Sequence, residues 1–401
     1  MASSLCFLPV LLFLLSSVVS SSSSSSSTDV LHGSEEAEVV GNDLHREFLR
    51  DEAVSRLNEL GKISDVDGYL ERTFLSPASV RAANAIRQWM EDAGLRTWVD
   101  LMGNVHGRVD GINASAPALL MGSHMDTVVD AGKFDGALGI ISAISALKVL
   151  KVTEKLEMLR RPVEVIAFCD EEGVRFQSTF LGSAAIAGIL PASTLNTSDK
   201  SGKTLQEVLE ENTIGETEDN LIQLKYEPES VWGYVEVHIE QGPVLESAGI
   251  PLGVVKGIAG QTRLKVTFTI DLRAMDDAGR EAVLYELSAR MYNICDRRSV
   301  SCVIERKHDA NAVKCDSELS SQLQSAALTA FRKMAGNVEV DVPKLMSGAG
   351  HDAMAMSRLT KMGMLFVRCR GGISHSPAEH VLDDDVWAAG LAVLAFLENH
   401  V

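Results

Sequence analysis

The chain has 401 residues, with 46% hydrophobic and 23% charged side chains, a composition that is typical of globular proteins with a sizeable core. Its 55 acidic and 37 basic residues give a net charge of −18, which argues against a nucleic-acid partner, because phosphate binding needs clustered Lys and Arg. A single hydrophobic core rarely grows to this length, so we expect two domains.

The amino terminus has the pattern of a targeting signal. Residues 5–19 are almost wholly apolar, and an uninterrupted serine run follows at 20–27. Because the apolar stretch is short for a membrane span, we interpret 1–27 as a secretory signal peptide with its serine-rich run, and an uncleaved anchor is the alternative. Residues 28–43 stay polar and acidic, which predicts a disordered linker. These features predict entry into the secretory pathway, with the endoplasmic reticulum lumen as the expected location and no membrane span after signal cleavage.

Sequons and cysteines give further information on the compartment. The glycosylation sequons at Asn113 and Asn196 agree with a secretory route. The cysteines that follow the signal are scattered without paired spacing, and none forms a Cys-x-x-Cys pattern. The sequence therefore predicts neither a disulfide framework nor a thiolate zinc site.

A helix and a hairpin are predicted at the start of the folded part, near residue 44. Residues 79–94 place apolar side chains at helical spacing, and Ser79 is a suitable N-cap. Residues 99–109 alternate around a Gly-Asn pair, which favours a β-hairpin.

Three apolar runs with a helix between them predict the central sheet. The runs at 118–121, 163–168 and 235–237 are interpreted as buried strands, and 136–150 as a helix. Strands that alternate with helices favour an α/β sheet, in which ligands gather at the carboxyl ends of the strands. The polar residues that follow the three runs are His124, Glu171 and His238.

A small second domain is predicted to interrupt this pattern. Residues 252–271 alternate as in a strand, and a helix at 277–296 and a strand at 301–306 follow. Further helices are predicted at 317–334 and 384–399, with a strand at 364–368.

This order of elements predicts a catalytic domain in two pieces with a short insert between them. The boundaries that we predict are 44–257 for the first catalytic piece, 258–310 for the inserted lid or dimerisation domain, and 311–401 for the second catalytic piece.

The first cluster of chemically competent residues surrounds His124. Its neutral imidazole can bind a metal ion, and Asp126 can hold the other ring nitrogen. Asp135 precedes a predicted helix, and a carboxylate with two free oxygens can bridge two metal ions. A His-x-Asp pair by itself is more often a loop hydrogen bond, so the interpretation depends on the other clusters.

The second cluster is the acidic run Asp170-Glu171-Glu172 at the end of a buried strand. Adjacent carboxylates in such a place are costly unless a cation neutralises them. Because neighbouring side chains point in different directions, one Glu can bind a metal ion while the other faces the reacting water. An acidic surface loop is the alternative.

Two further histidines complete the candidate set. His238 ends a predicted strand, and His375 lies in a polar turn with Glu379 as a possible orienting partner. Alone, His238 is more often a structural histidine, whereas His375 in its polar turn fits a metal-binding role at least as well as a plain loop. Together, however, three histidines and several carboxylates without sulfur suit Zn, Mn, Co or Ni, and the ligand types do not choose among these metals.

These motifs resemble the M20 family of metallopeptidases and amidohydrolases. The stretches GSHMDT, FDG, DEEG, HIEQGP and GISHSPAEH carry the resemblance, and they are most similar to the N-carbamoyl-type branch. Further stretches, including SPASVRA, LMSGAGHDAM and FVRCRGG, are similar to the allantoate deiminase group in particular, over residues 45–401. The resemblance implies an α/β fold: a two-metal catalytic domain with a mixed sheet flanked by helices, and a small inserted α+β lid domain.

The resemblance also implies residue roles. Two divalent metal ions are implied, with Mn favoured and Zn, Co or Ni as alternatives. One ion would be held by His124, Asp135 and His238, and the other by Asp135, Glu172 and His375. Glu171 would be the general base with Asp126 beside it, and the substrate contacts would be Gln241, Arg273, Gly350 and His351.

The implied activity is hydrolysis of a small-molecule ureide by a homodimer. Allantoate would be converted to ureidoglycine, ammonia and carbon dioxide, a reaction of purine catabolism. Ureidoglycolate and N-carbamoyl amino acids are alternative substrates of the same class. A metal-binding chain that binds ligand without turnover is the alternative of another class.

One departure from the family concerns the lid. The family carries Gly-His-Ala-Gly after the first lid strand and an Asn shortly before Pro-Gly, and this chain has neither. Residues 264–267 run directly into 268–273, as if the first strand were joined to a later one. The missing His normally helps to stabilise the oxyanion of the transition state, and such donors contribute about 2.7–4 kcal/mol. We therefore expect intact metal binding, weak activity or none, and a disturbed dimer.

Overall fold

The part of the folded chain that the structure describes contains two separate β-sheets. The computed structural model describes residues 43–212, 224–265, 269–336 and 340–401. Residues 44–401 form one compact unit. The predicted signal peptide and nearly all of the predicted linker lie outside the described residues, as does the predicted strand junction at 267–268. Within the described ranges, no helix has both the length and the apolar character that a membrane crossing requires.

The helices of the described ranges vary from one turn to six. They are α1 (Ala53–Leu60, which continues a π-helical turn at Glu47–Glu52), α2 (Pro77–Asp92), α3 (Ala137–Val152), α4 (Leu181–Ile186), α5 (Leu205–Glu211), α6 (Val244–Ala248), α7 (Asp277–Arg297), α8 (Ser317–Ala335), α9 (Asp352–Met356) and α10 (Asp383–His400).

The strands are divided between the two sheets. They are β1 (Arg96–Val99), β2 (Val105–Val109), β3 (Ala118–His124), β4 (Val163–Phe168), β5 (Val231–Ile239), β6 (Leu252–Ile258), β7 (Gly260–Lys265), β8 (Thr269–Ala274), β9 (Glu305–Ala310), β10 (Val313–Lys314), β11 (Lys344–Ser347) and β12 (Met362–Val367).

The large sheet is mixed and has nine strands. Its centre is the parallel run β4-β3-β5-β12, whose residues are almost all buried. Antiparallel strands flank this centre: β2 pairs with β4 on one side, and β6 pairs with β12 on the other. Parallel strands that are buried on both faces are expected to be continuous apolar runs, as these are. The predicted α/β fold with a mixed sheet is therefore confirmed.

Helices cover this sheet, and α3 is the most deeply buried of them. Nearly every residue of α3 is buried, because its sequence is apolar on all sides. The helix packs on β3 and β5 and against α10. Its first residue follows directly after the turn that contains Asp135, so the core fixes the position of that turn.

The sequence predictions differ from the structure at three points. Helix α2 begins at Pro77, and Ser76 rather than Ser79 is the N-cap, since Pro is well suited to the first helical position. The alternating run at 252–271 is broken at Ala259 into strands of different sheets, β6 and β7. The strand predicted at 301–306 lies at Glu305–Ala310 instead, where it pairs with β7.

The second, small sheet is antiparallel, in the order β8-β7-β9. Helix α7 packs on β8 and β7. The structure joins Cys295, near the end of α7, to Cys302 in a disulfide that the sequence analysis did not predict. This sheet and α7 occupy the predicted lid, whose boundaries at 258 and 310 remain a prediction.

Candidate metal centre

Neighbouring parallel strands bring the first two histidines together. His124 is the last residue of β3, and His238 is near the end of β5. Because β3 and β5 are paired in parallel, their carboxyl ends lie at the same edge of the sheet, and the two ring centroids are 5.7 Å apart. Both histidines are almost fully buried.

Asp135 joins these histidines to a third. Its Oδ1 lies 3.3 Å from Nε2 of His124 and 3.0 Å from Nε2 of His238. Its Oδ2 lies 3.4 Å from Nε2 of His375. The turn approaches His124 closely at Gly136, where a Cβ would lie 2.3 Å from the carbonyl oxygen of His124, so a side chain does not fit there. One carboxylate oxygen of Asp135 thus faces the ring nitrogens of His124 and His238, and the other oxygen faces the ring nitrogen of His375.

Glu172 and His375 complete the second group. The Oε1 of Glu172 lies 3.3 Å from Nε2 of His375. His375 has a positive φ of 54° in the loop after β12, and its side chain is 48% exposed. The second group is therefore more open to solvent than the group of His124 and His238.

Two sets of possible metal ligands consequently share Asp135. Ligand atoms of His124, Asp135 and His238 lie within 4.8 Å of one another, and so do those of Asp135, Glu172 and His375. Each set offers imidazole nitrogen and carboxylate oxygen without sulfur, which suits borderline divalent cations. The residues present fit two metal ions with a shared carboxylate.

The electrostatics of the site favour cations. Burial alone would lower the pKa values of His124 and His238, yet Asp135 and nearby carboxylates raise both above the ordinary histidine value. Burial would raise the pKa of Asp135, but His238, His124 and His375 hold it well below the ordinary value. Groups that attract protons so strongly also attract divalent cations, which take the place of the protons on nitrogen.

Glu171 lies beside the metal ligands and is itself buried, with 8% exposure. Burial is the main reason that its pKa is raised well above the ordinary value; His124 opposes this rise, and Glu172 adds to it. Its carboxylate is within 4.8 Å of ligand atoms of His124 and Glu172. A carboxyl group whose pKa is shifted toward neutrality is suited to general acid–base chemistry.

Asp126 has a different arrangement from the predicted one. The Nδ1 of His124 lies 3.1 Å from the backbone carbonyl of Asp126 and 3.8 Å from its carboxylate. The carboxylate oxygens instead accept hydrogen bonds from the backbone amides of Glu171 and Glu172, at 3.0 and 3.2 Å. Asp126 therefore fixes the backbone at Glu171 and Glu172 through its carboxylate, and its carbonyl orients the ring of His124.

Of the predicted substrate contacts, Gln241 lies at the centre. Its Nε2 donates a 2.8 Å hydrogen bond to Oδ2 of Asp135. His351 is fully buried: its Nε2 lies 2.7 Å from the Ser347 hydroxyl, and its ring packs against His238 with centroids 4.4 Å apart. In this conformation His351 supports a metal ligand and does not line an open cleft.

Arg273 and Gly350 lie at the boundary between the two sheets. Arg273 makes two hydrogen bonds to the carboxylate of Asp271 and one of 2.6 Å to the carbonyl oxygen of Gly348. A Cβ on Gly350 would lie 2.9 Å from the ring of Phe180, so this backbone packs closely on the aromatic side chain. The guanidinium that was predicted to bind a substrate carboxylate already binds a carboxylate of its own strand.

Glu236 is a site residue that the sequence analysis did not single out. It is fully buried on β5, two residues before His238. Its two oxygens accept hydrogen bonds from the hydroxyl of Ser123 (3.0 Å) and the amide of Ala353 (2.9 Å). The residue thus links the strand that carries His124 to the helix that follows His351. An acidic residue within an apolar strand, Val235-Glu236-Val237, is the signal that could have identified it.

Comparison with protein families and known proteins gives consistent matches. Residues 120–399 match Peptidase family M20/M25/M40. The chain is 58% identical to allantoate deiminase 2 of Glycine max, with 89% of this chain and 91% of the relative covered. It is also 58% identical to allantoate deiminase of Arabidopsis thaliana, with 92% and 86% covered. Among solved structures, AtUAH in complex with glyoxylate matches with a TM-score of 0.77 and 26% identity, over 87% of this chain and 97% of that one.

The lengths of these alignments indicate a deletion in this chain. The alignment with the Glycine max protein has 439 positions, whereas 89% of 401 residues is about 357, so about 80 positions have no residue here. The alignment with the Arabidopsis protein has 450 positions against about 369 residues, which gives a similar difference. Over the aligned part, this chain is thus shorter than these two relatives by a total of about 80 positions.

Proposed function

This chain belongs to the M20/M25/M40 peptidase family, and from that premise we propose that it is an amidohydrolase of the allantoate deiminase type. Water would cleave the terminal C–N bond of one ureido group of allantoate and release ammonia. The carbamate that remains would then lose carbon dioxide through cleavage of its own C–N bond, which gives ureidoglycine. The observation that carries the proposal is that the Asp135 carboxylate lies between the ring nitrogens of His238 and His375, with the buried Glu171 beside this site. The identity of 58% to two allantoate deiminases supports this choice of substrate.

Two divalent cations are part of the proposal, and we propose manganese as the native metal. His124 and His238 would hold one cation and Glu172 and His375 the other, with Asp135 between them. When bound, the cations supply Lewis acidity, which makes water more acidic and polarises a substrate carbonyl.

The protein's own residues move the protons. Glu171 accepts a proton from water, a step that its raised pKa favours, and delivers this proton to the departing nitrogen. Asp126 keeps the Glu171 backbone in place through the amide hydrogen bonds described above. The Gln241 amide lies on Asp135, where it can also orient a substrate.

The deletion supports a second candidate function: a metal-binding chain with little or no turnover. A lid that lacks its oxyanion donor leaves the metal ligands in place but removes stabilisation of the transition state. Hydrolysis of ureidoglycolate or N-carbamoyl amino acids remains the alternative within the enzyme class, and a substrate panel separates it from allantoate hydrolysis.

The test is ammonia release from allantoate by the purified, manganese-loaded chain, with Glu171→Gln as control. Release that the variant abolishes supports the proposed enzyme. Two bound cations without release would overturn it in favour of the second candidate. Equal release by both proteins would contradict the role of Glu171.

We also propose a homodimer that is weaker than in a chain with a complete lid. Large apolar side chains of the small domain are exposed, with Tyr285 78% and Val303 72% accessible. Such surfaces are common at protein interfaces. Sedimentation velocity from low to high micromolar concentration tests this: a monomer at every concentration would contradict self-association.

The proposed location is the lumen of the endoplasmic reticulum. The signal-like terminus and the sequons at Asn113 and Asn196 support it. Glycans at Asn113 and Asn196 that endoglycosidase H removes are the expected result. A chain without glycans in a cytosolic fraction would contradict the proposal.

A further inference from the structure

Glu379 is a buried carboxylate that contacts the backbone of a metal ligand. It lies four residues after His375 and is 6% exposed. Its Oε1 accepts hydrogen bonds from the backbone amides of Phe134 (2.7 Å) and Asp135 (3.2 Å). One side chain therefore links the loop that carries His375 to the turn that carries Asp135.

The fit between Glu379 and this turn is close. A Cβ on Gly132 would lie 2.3 Å from both the Cδ and the Oε1 of Glu379, so the turn rests directly on the carboxylate. The turn at Gly132 therefore has no room to move toward the side chain of Glu379. The position of Asp135 is thus set by Glu379 on one side and by the start of α3 on the other.

The second oxygen of Glu379 makes the arrangement costly. Its Oε2 is buried and has no hydrogen-bond partner within the described part of the chain. An unsatisfied buried polar atom typically costs about 1–3 kcal/mol. Stability alone would favour an amide or a smaller side chain here, so the carboxylate points to a role in the adjacent site.

We propose that Glu379 is a positioning residue that holds Asp135 in its bridging orientation and couples it to His375. The inference rests on the proposed two-cation site. Without the two amide hydrogen bonds, the Asp135 turn and the His375 loop are no longer joined by this side chain. The cation held by Asp135, Glu172 and His375 should then bind more weakly. The cation at the buried pair His124 and His238 should keep its affinity.

The test measures metal binding without substrate. Manganese is titrated into the metal-free wild type, Glu379→Ala and Glu379→Gln, with stoichiometry from elemental analysis after dialysis and affinity from calorimetry. We expect E379A to bind one cation as the wild type does and the second roughly 10–100-fold more weakly, as is typical when a residue supporting a metal ligand is removed. E379Q keeps an oxygen acceptor for both amides and should restore the second affinity to within about threefold.

Glu164→Gln is the matched control for a general loss of stability. Glu164 is as deeply buried as Glu379, but its partners are His106, Arg108 and Tyr226, none of which contacts a metal ligand. E164Q should lower the melting temperature and leave both affinities unchanged. If E379A does not fold, Glu379→Asp replaces it, since the shorter side chain withdraws the acceptor from the amides.

Three results would overturn the proposal. The first is that E379A binds the second cation with the same affinity as the wild type. The second is that E164Q loses as much affinity for that cation as E379A does. The third is that E379Q does not restore the affinity. Because no turnover is measured, the proposal survives a wild type that binds two cations without hydrolysing allantoate, and that outcome contradicts only the proposed function.

Discussion

The large sheet and the small sheet of this chain differ in what their side chains contact: those of the large sheet converge on one site, whereas those of the small sheet pair with neighbours or are exposed to solvent. In the large sheet, the buried parallel strands β3 and β5 end in His124 and His238, which converge on Asp135. In the small sheet, Arg273 binds its own neighbour Asp271, and α7 leaves residues such as Tyr285 exposed. The strands and loops of the large sheet thus hold the candidate metal ligands, so the geometry of these ligands does not depend on how the small sheet is built.

The largest effect is expected from Asp135→Ala, which removes the residue shared by both ligand groups. Metal content should fall from two cations per chain to nearly none, since each group loses a carboxylate ligand. Elemental analysis after dialysis measures this, and Asp271→Ala in the small sheet is the control. Retention of two cations by D135A would break the comparison, because the site would then not depend on the shared carboxylate.

A restored lid should have the next largest effect. Inserting a lid segment that carries the family's Gly-His-Ala-Gly motif between β7 and β8 should raise kcat/KM for allantoate by about 100- to 1,000-fold, the effect of one oxyanion donor. The same insert with the His of its Gly-His-Ala-Gly motif changed to Ala is the control. An insert that gives no gain would mean that the short lid already suffices or that the large sheet is also defective.

A pH effect on stability is expected from His106 in the large sheet. Burial alone would lower its pKa, but the hydrogen bonds that the protonated ring donates to the carboxylates of Asp100 and Glu164 raise the pKa to about 9. Because the folded pKa lies above the unfolded value near 6.5, the contribution is complete below pH 6.5 and is lost as the pH rises through 9. A shift of this size corresponds to roughly 3 kcal/mol.

Chemical unfolding at several pH values between 6 and 9.5 checks this prediction. The difference in unfolding free energy between the wild type and His106→Asn should shrink as the pH increases. A difference that stays constant over this window would show that the proton on His106 does not contribute.

The smallest effect is expected in the small sheet, from Arg273→Lys. The pair with Asp271 is 41% and 34% exposed, and exposed ion pairs contribute about 0–1 kcal/mol. Urea unfolding should therefore change by less than about 1 kcal/mol. A larger loss would mean that the small sheet depends on Arg273, which also donates a hydrogen bond to the carbonyl oxygen of Gly348, and would reduce the contrast between the two regions.

The sequence predicted the features that depend on apolar runs and on the residues that follow them. His124, Glu171 and His238 were placed at strand ends because burial of β3, β4 and β5 is visible in their composition. Helix α3 was predicted for the same reason. Patterns of this kind are local, so they are present in the sequence before folding.

Other features depend on groups that a sequence does not display. The carboxylate of Asp126 binds backbone amides, which every residue possesses, so no motif distinguishes them. His351 looks like a substrate ligand until packing against His238 shows that it is buried. Cys295 and Cys302 are seven residues apart at the end of α7, and only the turn that follows the helix brings them together.

The unequal exposure of the histidines has a consequence for the rates of metal exchange. His375 is 48% exposed, whereas His124 and His238 are within 2% of full burial. A chelator therefore reaches the position beside His375 first, and the inner position opens only when the loop has moved away. We expect two well-separated dissociation phases and a long-lived intermediate that retains one ion, so the order of removal is kinetic and independent of the two equilibrium affinities.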